Sequence, residues 1–214
     1  MSANFDWIDE NIAAKIESLC GNSFTYAIIY AEYWREKGTP DEPYQILSWK
    51  KEKYVASVAE KTRSSREDIE YIIYLISFIM PLDWSKDKEY LKGILSNQKY
   101  IALENLIQEV RINPYQGSLF LSEQDSKLFI KPDVLAGFLL LESLKNGVMD
   151  GIIKKLIQYV PYRIAFNVIS SRDFNRDRKR AFISMLWKEL NVTNNQSIEY
   201  YYALQVLTDP LVGI

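Results

Sequence analysis

One nine-residue segment of the chain concentrates side chains that could bind an anion. Between positions 172 and 180, five of the residues are basic and two, Asp173 and Asp177, are acidic. Guanidinium and ammonium groups at this density can bind phosphate, so the segment is a candidate anion or nucleic-acid patch. The alternative is a solvated loop and helix start whose charges pair partly with those two carboxylates. The candidate residues are Arg172, Arg176, Arg178, Lys179 and Arg180.

The amino-acid composition excludes several kinds of catalytic and metal-binding chemistry within this chain. The 214 residues include no histidine and one cysteine, Cys20. A Ser-His-Asp or Cys-His site, and a zinc site made of histidines or of cysteines, is therefore impossible. No P-loop and no dinucleotide-binding glycine motif occurs. The carboxylates stand singly among basic and polar residues, which is typical of a solvated face. We expect no catalytic residue, no metal and no cofactor, so the chain is predicted not to be an enzyme.

The totals of charge and hydrophobicity are those of a globular protein. The formal net charge is −2 and charged residues make up 25% of the chain, so any attraction to nucleic acid would have to be local. A single cysteine cannot form an intramolecular disulfide and suits a reducing compartment. No stretch approaches the length of apolar sequence that a membrane span needs, and no signal-like segment opens the sequence. The sequence predicts a cytoplasmic protein with no membrane partner.

A small β-hairpin followed by a helix is predicted in the middle of the chain. Two β-favouring runs, 119–121 and 128–130, flank a polar turn at 122–126. Apolar residues then recur at helical spacing over 133–145, just after Pro132. Because a lone hairpin is marginal in water, this helix is expected to cover it.

Helical periodicity dominates the rest of the chain, so the predicted fold class is mainly α. The run that begins near position 68 is apolar nearly all round and is therefore expected to be the central helix. The predicted helices are two within 7–34, then 48–61, 68–80, 87–95, 100–110, 133–145, 148–160, 162–170, one around 182–190, and 198–207.

Further predictions concern the ends and the buried faces of the N-terminal helices. The first helix is expected to end at Cys20-Gly21, where glycine can take the left-handed conformation, and the second to stop at Gly38. The third helix is expected to turn its lysines to solvent. The apolar face predicted for the second helix is Phe24, Ala27, Ile28, Ala31 and Trp34, and the lysines are Lys50, Lys51 and Lys53.

Three helices followed by a hairpin give the element order of a winged-helix domain. In the versions that read DNA, the third helix enters the major groove and carries cationic or amide side chains. Here acids and bases cancel on that helix, and the hairpin turn is acidic. Because phosphate contacts supply most non-specific affinity, these charges argue against DNA reading by this element. The residues concerned are Lys99, Glu104, Asn105, Gln108, Glu109, Arg111, Glu123, Asp125 and Lys127.

Two short motifs resemble elements of STAND-type NTPases, the AAA+-related signalling ATPases. Segment 20–24, Cys-Gly-Asn-Ser-Phe, with the helical run 27–33, resembles the Gly-Asn-Pro element that opens a helix of their helical lid. Segment 129–139 resembles the Pro-Asp-hydrophobic-Leu helix that often follows their wing. The Walker A and Walker B motifs are missing. In the family the Gly-Asn-Pro loop contacts the adenine side of the nucleotide, whereas Ser23 here replaces the proline.

The resemblance implies a helical lid-like region at 1–62, a winged-helix domain at 63–145 and a C-terminal helical region at 146–214. It further implies a non-catalytic regulatory or protein-interaction module with a protein partner. In such a lid the nucleotide state would be transmitted by rotation about the loops near Gly21 and 39–43. The alternative is a winged-helix nucleic-acid-binding protein that contacts phosphate through the basic segment at 172–180.

Overall fold

The computed structural model describes residues 8–20, 23–39, 42–113, 120–171 and 176–192, together with Tyr201 and Ala203. Over these residues the protein is mainly helical and contains one small three-stranded antiparallel sheet, which confirms the predicted fold class. None of the helices within the described ranges has both the length and the apolar composition of a membrane span.

The chain divides into two compact units, Met1–Tyr54 and Val55–Ile214. The three regions expected from the sequence remain a prediction. In the first unit the helices are α1 (Glu10–Cys20), α2 (Phe24–Lys37) and most of α3 (Pro43–Thr62). In the second unit the elements after α3 are α4 (Arg66–Ile79), β1 (Leu82–Asp83), α5 (Trp84–Ile94), α6 (Asn97–Ile112), β2 (Leu121–Gln124), β3 (Lys127–Ile130), α7 (Asp133–Lys145), α8 (Ile153–Tyr159), α9 (Pro161–Ser170) and α10 (Arg176–Val192).

Helix α2 stops where it was predicted to, and of its predicted buried face Ala31 is buried. It ends before Gly38, whose φ of 86° suits glycine. Its buried residues are Tyr26, Ile29, Tyr30 and Ala31, whereas Phe24, predicted to point inward, is 77% exposed. Apolar residues lie on more than one side of α2, so their spacing alone could not identify the side that packs.

Of the three α3 lysines predicted to face solvent, Lys53 is exposed as predicted, Lys50 is half-buried and Lys51 is buried. Lys50 Nζ lies 3.0 Å from Glu32 Oε2, and Lys53 forms an ion pair with Glu36. Lys51 is buried rather than solvated, with its ammonium 3.3 Å from Glu52 Oε1. Long lysine stems can be buried while the charged head reaches a partner.

Helix α4 is the centre of the second unit, as its all-round apolar sequence predicted. Ser65 caps its start, accepting a hydrogen bond from the Asp68 backbone N–H at 3.0 Å. Ten of its fourteen residues are buried, and it packs against α6, α7, α9 and β3. Each buried isoleucine or leucine contributes on the order of 1.5–3 kcal/mol to folding. The helix ends one residue before the Met80-Pro81 bond, consistent with the restriction that proline places on the preceding residue.

The hairpin forms, but its turn is shorter than predicted. Strands β2 and β3 pair antiparallel with Gln124 opposite Lys127, so only Asp125 and Ser126 form the turn. Their φ values, 51° and 61°, are both left-handed, which is the geometry of the two-residue turn that matches strand twist. The predicted turn at 122–126 was therefore too long, and the first strand reaches Gln124.

A third strand, β1, was not predicted. It has two residues, and Leu82 pairs with Leu128 of β3, giving the strand order β1-β3-β2. Leu82 and Leu128 are both fully buried. Two residues are too few to show a period in the sequence, so the strand is defined by its partner and not by its own pattern.

Helix α7 has the predicted bounds, while α8 is shorter than predicted. Gly147, with φ of 63°, follows the end of α7, and the Val148 N–H donates to the Ser143 carbonyl at 3.2 Å. This is a Schellman motif, which closes a helix from its C-terminal side. Further turns delay the next helix until Ile153, so the prediction of a helix over 148–160 was wrong for its first part.

A buried ion pair joins α9 to the start of α5. Asp87 is 1% exposed, and its carboxylate accepts two hydrogen bonds from the Arg163 guanidinium, at 2.7 and 2.9 Å. The backbone N–H of Asp83 donates to the same carboxylate at 2.9 Å, and the Tyr159 hydroxyl lies 3.3 Å away. Both carboxylate oxygens therefore have donors, as a buried charge requires.

The same helix, α9, also satisfies the backbone at the end of α4. Arg163 donates to the carbonyl oxygens of Ile79 and Pro81, at 3.3 and 3.0 Å. Asn167 Nδ2 donates to those of Phe78 and Met80, at 2.8 and 2.9 Å. The last carbonyls of a helix have no partner within the helix, so α9 serves as the cap of α4.

Replacing Arg163 of the buried Arg163–Asp87 pair by an uncharged side chain should greatly lower the stability of the protein. We expect Arg163→Met to lower the free energy of unfolding by about 3–5 kcal/mol, because it leaves the Asp87 charge buried and unpaired. The double variant Arg163→Met/Asp87→Leu should recover part of that loss, since no unpaired charge remains. Denaturant unfolding followed by circular dichroism measures both.

The matched control for Arg163 is an ion pair whose cation is exposed. Lys154 lies 3.2 Å from Glu189, with the lysine side chain 67% exposed. We expect Lys154→Ala to cost no more than about 1 kcal/mol. An equally small loss for Arg163→Met would contradict the role assigned to the buried pair.

A second prediction concerns Cys20, the last residue of α1. Burial raises the pKa of its thiol from 9.0 to about 11, so at pH 8 the reactive thiolate is about 100-fold scarcer than in the unfolded chain. We expect iodoacetamide to alkylate the folded protein at least about 100-fold more slowly at pH 8, with the rate rising up to pH 11. The raised pKa also means that its contribution to stability is present below pH 9 and is lost between pH 9 and 11. Equal alkylation rates for folded and unfolded protein would contradict the burial of Cys20.

Candidate functional site

The structure places only part of the predicted basic segment. Arg172 lies outside the described residues, and α10 begins at Arg176, which agrees with a helix start in this segment. Helical spacing puts positions 176, 179 and 180 on one side of α10. Arg180 and Asp177 are exposed, whereas the side chains of Arg176, Arg178 and Lys179 lie outside the description. The assignment of these five residues to an anion site therefore remains a prediction.

The outward face of α6 is the surface that a winged-helix protein would present to DNA. Its exposed residues include two isoleucines, Ile101 and Ile112, which are 45% and 73% exposed. Between them on the same side lie Glu104 and Gln108, both exposed. This face combines apolar side chains with an acid and an amide, so it has little electrostatic attraction for phosphate.

Arg111, at the end of α6, is held by the hairpin. Its guanidinium donates to both oxygens of Glu123 on β2, with Nε at 3.1 and 3.0 Å and Nη2 at 2.7 Å from Oε1. The hydrogen bond to Glu123 is the main cause that raises the pKa of Arg111. A planar, two-point arginine–carboxylate contact is the stronger kind of ion pair, so Arg111 would have to break it to bind phosphate.

Two further cations near α6 are also engaged. Lys99 Nζ lies 3.6 Å from the centre of the Tyr71 ring, which is a cation–π distance. Lys61, near the end of α3, lies 3.1 Å from Glu109 of α6. Arg111, Lys99 and Lys61 therefore each have a partner inside the protein.

A cleft of about 540 Å³ opens beside the start of α4. Its size is within the range of small-molecule sites, roughly 300–1,000 Å³. Three carboxylates, those of Glu67, Asp68 and Glu70, line it together with Lys99. Because the acids outnumber the base, the cleft is unsuited to the phosphates of a nucleotide.

Tyrosine hydroxyls complete the wall of this cleft. The Tyr74 hydroxyl lies 2.9 Å from Glu70 and 2.7 Å from the buried Glu142 of α7. Burial raises the pKa of Tyr71 above its ordinary value. The cleft is thus an acidic surface stabilised by internal hydrogen bonds.

The segment for which the resemblance implies a nucleotide contact is described only at Ser23. Gly21 and Asn22 lie outside the described residues. Ser23 caps α2, its hydroxyl accepting a hydrogen bond from the Tyr26 backbone N–H at 3.3 Å. The residue that replaces the family's proline therefore has a local structural role, and contact with a nucleotide remains an expectation.

Comparisons with protein-family models, with curated proteins and with solved structures find no match. Within the described ranges, no group of three or more carboxylate or cysteine ligands is arranged to hold a metal ion. The site is therefore argued from its residues and their geometry alone.

The paired cations of α6 predict weak binding to DNA. We expect a labelled duplex to show no salt-sensitive binding to the purified chain between about 50 and 200 mM salt, because Arg111, Lys99 and Lys61 already have partners and displace few counterions. Fluorescence anisotropy at the two salt concentrations measures this.

If the duplex does bind, substitutions in the basic segment 172–180 show whether that segment is the contact. If tight, salt-sensitive binding is found, and if Arg176→Ala/Arg178→Ala/Arg180→Ala abolishes it, the nucleic-acid alternative is correct. The matched control is Lys88→Ala/Lys92→Ala on α5, which removes two exposed cations elsewhere in the same unit.

Proposed function

We propose that the chain is a non-catalytic regulatory or protein-interaction module built around a winged-helix domain. The observation that carries the proposal is the outward face of α6, where Ile101 and Ile112 are exposed and the nearby Arg111 is bound to Glu123. Exposed apolar side chains beside paired charges favour a protein surface as the partner, because nucleic acid would need free cations.

The order of the elements supports the winged-helix assignment. Helix α4, strand β1, helices α5 and α6, and the hairpin of β2 and β3 follow one another in the second unit. The hairpin packs on α6 through the Arg111–Glu123 pair and on α4 through β3. We infer from this arrangement that α6 occupies the position of the recognition helix and that the hairpin is the wing.

The missing catalytic groups and the two sequence motifs support the regulatory part of the proposal. A chain that resembles the lid and winged helix of a STAND-type NTPase without its P-loop core would respond to a nucleotide held by another protein. We therefore propose that its partner is a protein, with the α6 face as the contact surface. Cytoplasmic location forms part of this proposal.

The second candidate is a nucleic-acid-binding protein that uses the start of α10. The observation that favours it is the exposed Arg180 in a helical turn whose sequence carries four basic residues in five. In this case the phosphate contacts would lie on α10 and not on α6.

The α6 face predicts a specific loss of partner binding. We expect Ile101→Asp/Ile112→Asp to reduce retention of the partner at least about tenfold, because each substitution puts a charge into an apolar contact. Both side chains are exposed, so the melting temperature should change little. The measurement is quantitative mass spectrometry of proteins retained by the tagged full chain from cells of its source.

The matched control is Phe24→Asp, which changes an apolar side chain with a similar exposure on α2. It should retain the same proteins as the original chain. Unchanged retention by the double α6 variant would contradict the proposed surface, and ATP hydrolysis by the purified chain would contradict the non-catalytic assignment.

A further inference from the structure

A second, smaller cavity of about 270 Å³ lies where α4, α7 and α9 meet. Its buried wall includes Ser77, Leu140, Asn167 and Ser171, while the half-exposed Phe166 ring stands at its opening. The volume is just below the range of roughly 300–1,000 Å³ for small-molecule sites, so it suits a group the size of one side chain.

The buried wall contains a hydroxyl that lacks a partner. Ser171 is 8% exposed, and within the described residues its Oγ makes no hydrogen bond. Leaving a buried hydroxyl without a partner destabilises a protein, so such groups call for a ligand or a water. Asn167 adds an acceptor, because its Nδ2 donates to Phe78 and Met80 while its amide oxygen accepts no described hydrogen bond.

Among the described residues, the charges and dipoles around the cavity are mainly negative. Helices α4 and α9 both end here, and a helix C-terminus carries roughly half a negative charge. Helix α7 begins here with the exposed carboxylate of Asp133. The full negative charge of this carboxylate is larger than the roughly half positive charge at the N-terminus of α7. The Arg163 cation at the end of α4 is balanced by Asp87. The cavity therefore favours a cation.

Apolar side chains complete the cavity. Leu140 and Ala136 of α7 line it together with Met80, and the Phe166 ring is 50% exposed. Such walls suit an aliphatic stem, and an aromatic ring can stack on a planar cation.

We propose that this cavity binds the guanidinium group of an arginine side chain from a partner protein. Ser171 Oγ and the Asn167 amide oxygen accept its N–H groups, Asp133 supplies the opposite charge, and Phe166 stacks on its plane. Arginine is favoured over lysine because it offers five donors in a fixed plane to acceptors at separate points. The claim that the arginine comes from a partner protein rests on the proposed function as a protein-interaction module. The cavity and its preference for a guanidinium group do not, because all of its residues belong to this chain.

The test uses N-acetyl-arginine-N-methylamide as the probe and the citrulline analogue as its neutral isostere. Chemical shifts of the full chain, followed by NMR, report binding at residues that line the cavity. We expect the arginine probe to bind at least about tenfold more tightly than the citrulline probe. Asp133→Asn and Ser171→Ala should each weaken the arginine probe at least about fivefold.

The matched control is Ser122→Ala, which removes the other buried hydroxyl without a described partner, on β2 and away from the cavity. It should leave probe binding unchanged. Ser171→Ala should not lower the melting temperature of the free protein, because it removes an unsatisfied group.

Equal affinity for both probes, no binding of either, or indifference to Asp133→Asn would overturn the proposal. A second outcome is that the arginine probe binds but Asp133→Asn does not change retention of the partner protein. This result would overturn only the partner protein as the source of the arginine, and a free arginine-like cation would then be the ligand. The α6 variant Ile101→Asp/Ile112→Asp should bind the arginine probe as the original chain does. The α6 contact surface and the arginine-binding cavity can therefore be refuted independently.

Discussion

The buried charge of Asp87 is the constraint on which the second unit depends. A carboxylate that is removed from water carries a penalty of several kcal/mol, and only well-placed donors offset it. The donors come from Asp83, Tyr159 and Arg163, which belong to β1, α8 and α9. These elements must therefore be in place together. Because Arg163 also caps α4, the central helix and the C-terminal helices form one compact unit.

The parts of the fold that follow from local chemistry could be predicted from the sequence. Helix α7 was predicted with its observed bounds, since Pro132 precedes its start and its apolar residues recur at helical spacing over 133–145. Contacts between distant residues could not be predicted in this way. Arg163 and Asp87 are 76 positions apart, and nothing near either residue indicates the other. Strand β1 is defined by Leu128, and the side of α2 that packs is chosen by its neighbours.

The candidate site shows the same division. Counting charges on α6 was sufficient to argue against a phosphate-binding face. The sequence did not reveal that Arg111 is held by Glu123 or that Lys99 lies over Tyr71, because helix and hairpin must first be folded together. The cavity around Ser171 was missed entirely. Its walls come from three helices, and the only local signal was a serine just after the end of α9, a position where serine is common on solvent-exposed loops.

The shortness of the sheet limits how another chain can bind to it. In the order β1-β3-β2, the two edge strands have two and four residues, and β2 carries the charged Glu123. Long, uncharged edges are the ones that accept a strand from another molecule, both in regulated recognition and in aggregation. This sheet offers little main chain for such an addition. Strand addition therefore contributes little to any association of this unit with another protein.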